Sequence, residues 1–240
     1  MRFLKELNLP NKLTLLRIAL FIPMIFLMIA NIYILRTSDG FWWSYMKGVE
    51  NSNVNFDALI TTYSLNGLYT KIGAIDIVIL LFFIGAMVTD FLDGYLARKN
   101  NQVTEFGKLW DPLADKIITT LTLIYFAVMN YVPFWIVLIF VIRDLIVDGS
   151  RVTMAKNNIS VEASLWGKLK TLIMTAGIII VFIYQLVFSF NIEKITYFHK
   201  NAQSWAPFIV SIPLLVAAGF SVFSGFLYVR KIWPIIRESK

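Results

Sequence analysis

The chain has no cysteine and a single histidine, His199. That absence excludes disulfides, thiolate nucleophiles and thiolate metal sites, and it leaves hard oxygen donors as the ligands to consider. Charge is scarce too: Asp, Glu, Lys and Arg make up 15% of 240 residues, whereas a soluble domain carries about a quarter. There is no internal repeat, no low-complexity tract and no small-residue cleavage site after the first apolar run. With Arg17 inside that run, the missing cleavage site predicts a retained helix rather than a secretory leader.

Apolar residues fill the sequence instead, at 58% of the total with a mean hydropathy of +0.69. A helix needs roughly 20 predominantly apolar residues to cross a bilayer. Six stretches qualify, at about Leu13–Leu35, Ile72–Leu96, Leu109–Met129, Pro133–Met154, Leu165–Phe190 and Ala206–Trp233. They cover most of the chain, so residues 1–240 read as a single membrane domain. The expected fold class is all-α integral membrane, a bundle of six transmembrane helices. A short interfacial helix is expected before it over Met1–Lys12, where Phe3, Leu4, Leu7 and Leu9 stand among charges.

The net charge of +7 is distributed by topology. Arg2, Lys5, Lys12 and Arg17 lie at the N-terminal end, and Arg98, Lys99, Lys108 and Lys116 surround the second connection. Arg143, Arg151, Lys156, Lys168 and Lys170 surround the fourth, and Arg230, Lys231, Arg237 and Lys240 close the chain. The opposite side holds only Arg36, Lys47, Lys71, Lys194 and Lys200. The positive-inside rule therefore places both termini on the cytoplasmic side of the cell membrane. Such a basic excess orients the helices and attracts anionic lipid rather than nucleic acid. The outer connection from Arg36 to Lys71, with Trp42, Trp43 and Tyr45 as interface anchors, reads as a surface excursion. His199 falls on that outer side and is assigned no chemistry.

Against this background, four carboxylates stand out: Asp90 and Asp93, then Asp111 and Asp115. Residues three or four apart share a helix face. Two such helices side by side would aim four acids into one space, an arrangement that calls for cations. Oxygen ligands favour Mg2+, Mn2+ or Ca2+. Gly94, Ala97 and Gly107 are small residues that allow close approach of a backbone or ligand, and Arg98 adds a planar cation suited to phosphate. Taken singly, each Asp could be a helix cap and each Gly a packing residue. The whole set at these spacings points to a site.

The run from Asp90 to Asp115 matches the pattern D-x2-D-G-x2-A-R-x8-G-x3-D-x3-D at every fixed position. In this it resembles the CDP-alcohol phosphotransferase family. The resemblance implies a dimer of six-helix bundles with the site at the cytoplasmic boundary of the membrane. It implies that Asp90, Asp93 and Asp111 bind divalent metal, two ions of Mg2+ or Mn2+. Asp115 would lie near the metals and act as general base, and Gly94, Arg98 and Thr104 would contact the CDP part of the donor. Asn11, Thr14 and Arg17 are further candidates for the nucleotide, with capping and snorkelling as their plainer roles.

Within that family, Asn8-Leu-Pro10-Asn11-Lys-Leu-Thr14-Leu-Leu-Arg17 is similar to the opening of phosphatidylglycerophosphate synthases. Asp90–Lys116, Arg143-Asp144, Gly149-Ser-Arg151 and Gly167-Lys168-Leu-Lys170-Thr171 fit as well. Asp144 stands where relatives often have Glu, and the loop near Asn51 reads as an insertion. The similarity implies transfer of phosphatidyl from CDP-diacylglycerol to sn-glycerol 3-phosphate. Arg151, Lys168 and Arg143 would then bind the acceptor phosphate; topogenic charge is their alternative role. Two rival readings are the same chemistry on another acceptor (inositol phosphate, serine or phosphatidylglycerol) and a divalent-cation transporter.

Overall fold

The computed structural model describes residues 9–37, 65–99, 105–157, 165–190 and 206–238. Among them there are helices and no strands: α1 (Leu9–Thr37), α2 (Leu65–Lys99), α3 (Glu105–Val128), α4 (Phe134–Lys156), α5 (Leu165–Phe190), α6 (Ala206–Val210) and α7 (Ile212–Glu238). Four of them carry stretches long and apolar enough to cross a membrane: Lys12–Ile34, Thr70–Leu96, Leu165–Val187 and Ile212–Pro234. The sequence predicts six. α3 and α4 fall outside the four because charges break their apolar runs, at Asp111, Asp115 and Lys116 in one and at Arg143, Asp144, Asp148 and Arg151 in the other. The expected interfacial helix over Met1–Lys12 and the outer loop lie for the most part outside the described residues.

The chain divides into two compact units, one of Met1–Leu121 with Phe182–Lys200 and the other of Thr122–Val181 with Asn201–Lys240. In the first, α1 packs along α2. The buried face of α1 is Thr14, Arg17, Phe21, Met24, Met28 and Asn31, and that of α2 includes Ile72, Asp76, Ile79, Phe83, Ala86 and Asp93. Both follow the alternating three- and four-residue spacing of a helix–helix seam. The outer faces carry exposed Ile22, Phe26, Ile29 and Leu81. Polar residues inside and large apolar residues outside are the arrangement a bilayer selects.

Two polar contacts close the α1–α2 seam. At one end Asn31 Nδ2 donates to Asp76 Oδ1 at 2.8 Å, and Gln185 Nε2 of α5 donates to Asp76 Oδ2 at 2.5 Å. At the other end Arg17 bonds Asp90 and Asp93. Asn31 lies two heptads beyond Arg17, and Asp90 two heptads beyond Asp76, so the antiparallel helices meet polar to polar at both places. At 1.5 Å per residue the contacts are roughly 21 Å apart. Beside Asp76, Gly73 brings α2 against α5, since a Cβ there would lie 2.7 Å from Ser189 Cβ.

Asp76, Asn31 and Gln185 are all fully buried. Removing the carboxylate would take a buried acceptor from two amide groups, at roughly 1–3 kcal/mol for each hydrogen bond left unmade. Asp76→Ala is therefore expected to lower the melting temperature of the detergent-purified protein by several degrees or more. A melting curve superimposable on that of the unsubstituted protein would remove Asp76 from the packing of this unit.

In the second unit, α3 ends in a Schellman turn. Asn130 takes φ 60°, its N–H bonds Ala127 O at 3.2 Å, and the Tyr131 N–H reaches back to Phe126 O at 2.9 Å. Pro133 then opens the way to α4. α4 packs on α7, around Val147, Met154, Tyr228 and Ile232. Arg143 ties the pair together: Nε donates to Ser221 O at 3.0 Å and Nη2 to Ser224 Oγ at 2.7 Å. Gly225 accommodates its stem, for a Cβ there would meet Arg143 Cγ at 3.1 Å.

Candidate functional site

The acidic motif converges on α1. Asp90 and Asp93 occupy the C-terminal part of α2, one turn apart, and Asp111 and Asp115 lie on α3. α3 begins at Glu105 rather than near Leu109, so Asp111 falls in its second turn, deeper than the sequence suggests. From α1, Arg17 Nη1 donates to Asp90 Oδ1 at 2.5 Å and Nη2 donates to Asp93 Oδ2. One turn earlier, the Thr14 hydroxyl donates to Asp111 Oδ1 at 2.7 Å. Thr14 and Arg17 are both about 1% exposed. A single turn of α1 thereby holds three of the four predicted carboxylates, and Asp93 is acted on by the like charges of Asp111 and Asp90 as well as by Arg17.

Burial differs between the acids. Asp93 is 3% exposed and Asp90 38%, which puts one inside the seam and the other at its rim. Asp115 is half-buried, and its backbone carbonyl accepts the Thr119 hydroxyl at 2.9 Å. Among the described residues no three acidic or histidine side chains are drawn close enough to hold a metal ion. The reason is visible in the partners: Asp90 and Asp93 are turned to a guanidinium and Asp111 to a hydroxyl. Three carboxylates, all hard oxygen donors, are nevertheless gathered against one turn of α1 that brings a single cation, Arg17. That imbalance suits divalent cations bound by oxygen, so the residues fit the metal that the motif implies.

The remaining predicted residues fall as follows. Gly94 follows Asp93 within α2, and Arg98 lies in its last turn, with a side chain outside the described set. Asn11 is in the first turn of α1, likewise without a described side chain, and Thr104 lies outside the described residues. Arg17 neither caps nor snorkels; it is buried and paired. In the second unit, Arg143 is committed to Ser221, Ser224 and Asp144. Asp144 also receives Lys170 Nζ at 3.1 Å on both oxygens, and Lys170 sits 5.4 Å from the Phe140 ring centroid. Arg151 is exposed beside Tyr228, its guanidinium carbon 5.5 Å from the ring centroid. Lys168 is exposed.

Sequence reasoning did not single out Asp76. The available signal was an ionisable residue inside the apolar run of α2, where isolated charge is costly.

A family model described as CDP-alcohol phosphatidyltransferase matches residues 58–222. The chain is similar to a CDP-diacylglycerol–glycerol-3-phosphate 3-phosphatidyltransferase of Mycoplasma pneumoniae, 38% identical over 157 residues, covering 65% of this chain and 67% of that protein. A protein of the same name in Mycoplasma genitalium is 36% identical, over 65% of this chain and 64% of its own length. Another, in Bacillus subtilis, is 31% identical over 232 residues, 97% of this chain and 98% of that one.

Proposed function

The chain belongs to the CDP-alcohol phosphatidyltransferase family, and from that membership we propose that it transfers phosphatidyl from CDP-diacylglycerol to sn-glycerol 3-phosphate, releasing CMP. The observation that carries this reading is the convergence of Asp90, Asp93 and Asp111 on Thr14 and Arg17, which joins the opening motif to the acidic one. The primary hydroxyl of the acceptor attacks the phosphorus that bears diacylglycerol. A new P–O bond forms, the bond to the CMP phosphate breaks, and the hydroxyl proton passes to the Asp115 carboxylate. Asp90, Asp93, Asp111 and Asp115 would hold a pair of Mg2+ or Mn2+ ions, which would supply Lewis-acid stabilisation of the diphosphate charge. Gly94, Arg98, Thr104 and Asn11 contact the CDP moiety, and Thr14 orients Asp111 from α1. Arg151 and Lys168 bind the acceptor phosphate, while Arg143 serves chiefly to hold α4 on α7.

α3 and α4, of 24 and 23 residues, complete a six-span bundle in this proposal. Their lengths of roughly 35 Å suffice to cross the hydrocarbon core. The charges of α3 end at Lys116 and those of α4 begin at Arg143, so both helices put their charged ends on the same side. That side is cytoplasmic, with both termini and the site, and residues 1–240 act as one domain that pairs as a homodimer. The site then meets both phases: a donor that is half lipid, and a water-soluble acceptor and product.

The test is CMP release by purified enzyme offered each acceptor in turn. Release that depends on glycerol 3-phosphate supports the assignment, and equal release with serine, inositol phosphate or phosphatidylglycerol and none with glycerol 3-phosphate defeats it. Lys168→Ala is expected to raise the KM for glycerol 3-phosphate about tenfold with little change in kcat, the loss of one charge-assisted contact. An unchanged acceptor dependence would reduce Lys168 to a topogenic charge.

A further inference from the structure

Arg17 carries a mismatch. Its guanidinium is buried to 1% exposure and divides its two terminal nitrogens between Asp90 and Asp93, which lie on the same helix. Its Nε is buried as well and has no hydrogen-bond partner. A guanidinium normally matches one planar anion with a pair of parallel N–H groups, and an orphaned buried donor is rare in a settled native state. The group is thus placed as a cation among acids while one edge of its donor fork is left unused.

We propose that Arg17 is the resident counter-cation of the acidic pair, holding Asp90 and Asp93 together while divalent ions are away, releasing them when the ions bind, and turning its fork to the anionic oxygens of the donor diphosphate. This rests on the reading that Asp90 and Asp93 are metal ligands. Like charges so close in a poorly polarisable interior repel strongly, so the guanidinium and the divalent ions do not share the two carboxylates. A buried guanidinium that gives up its carboxylates needs another anion nearby, and the diphosphate of a bound donor supplies one. Metal and donor therefore bind cooperatively, each making room for the other. Thr14, one turn away, keeps its hydroxyl on Asp111 throughout and fixes that side of the site.

The experiment is Mn2+ binding to the detergent-purified full chain, by calorimetry, with and without CDP-diacylglycerol. Wild type is expected to bind Mn2+ at least tenfold more tightly with donor present. Arg17→Met, which keeps the volume and removes the charge, is expected to bind Mn2+ at least tenfold more tightly than wild type without donor. Equal or weaker binding by Arg17→Met, with wild type binding normally, would overturn the proposal alone. No binding by wild type under either condition would overturn the metal reading together with it. Should Arg17→Met not fold, the Arg17 Nε–H resonance of 15N-labelled wild type, identified by its loss in Arg17→Lys, is expected to shift on Mn2+-free Mg2+ titration. A stationary resonance while Mg2+ binds would equally refute the exchange.

Discussion

Asp115→Asn is expected to lower CMP release by about 10²–10⁴-fold, the range a positioned general base contributes, while CDP-diacylglycerol still binds. An amide keeps the size of the carboxyl group and its capacity to accept a hydrogen bond, and it cannot take the proton of the acceptor hydroxyl. The site geometry separates this residue from its three companions. Asp90, Asp93 and Asp111 are engaged by Thr14 and Arg17 of α1, whereas Asp115 is half-buried one turn further along α3. Its loss should therefore be read in the chemical step more than in the fold. The measurement is steady-state turnover beside a donor-binding titration, and near-normal turnover would remove Asp115 as the base.

Asp93→Ala is expected to fail in both respects. Turnover should fall by at least about 10³-fold, since a proposed metal ligand is gone from a reaction that depends on charge stabilisation. Stability should fall too. Asp93 is 3% exposed against a guanidinium that is 1% exposed, and breaking a buried ion pair by removing one partner costs about 3–5 kcal/mol. Asp90→Ala provides the internal comparison, because at 38% exposure its pair with Arg17 is partly open to solvent and worth less. A melting temperature falling as far for Asp90→Ala as for Asp93→Ala would contradict the placement of the two acids.

Much of this site was legible because its residues are close in sequence. Asp90 with Asp93 and Asp111 with Asp115 are helix-face pairs whatever the tertiary structure, and each was found on a helix. The contribution of α1 was harder to read. The sequence offers Arg17 as a nucleotide contact or a snorkelling residue; its pairing across more than seventy residues of chain does not follow from local spacing. The seam itself, Thr14 to Asn31 on α1 and Ile72 to Asp93 on α2, follows a regular period. Hydrophobicity hid that period, since the exposed Ile22, Phe26 and Leu81 are as apolar as the residues between the helices. In a bilayer the polar positions mark the interior, and Asn31, Asp76 and Gln185 were the marks that went unread. α3 and α4 stand where two of the six spans are expected, but charges interrupt their apolar stretches, so among the described residues length and apolarity mark the other four long helices.

The paired contacts at the two ends of the α1–α2 seam also bear on what joins those helices. Sliding one helix past the other by a turn would separate Arg17 from its acids and Asn31 from Asp76 at once. Alignment is thus enforced from within the helix pair, by contacts that draw on no residue of the tether over residues 38–64. Because closing a longer loop costs only slowly increasing entropy, that tether can drift in length and composition while the catalytic end stays in register.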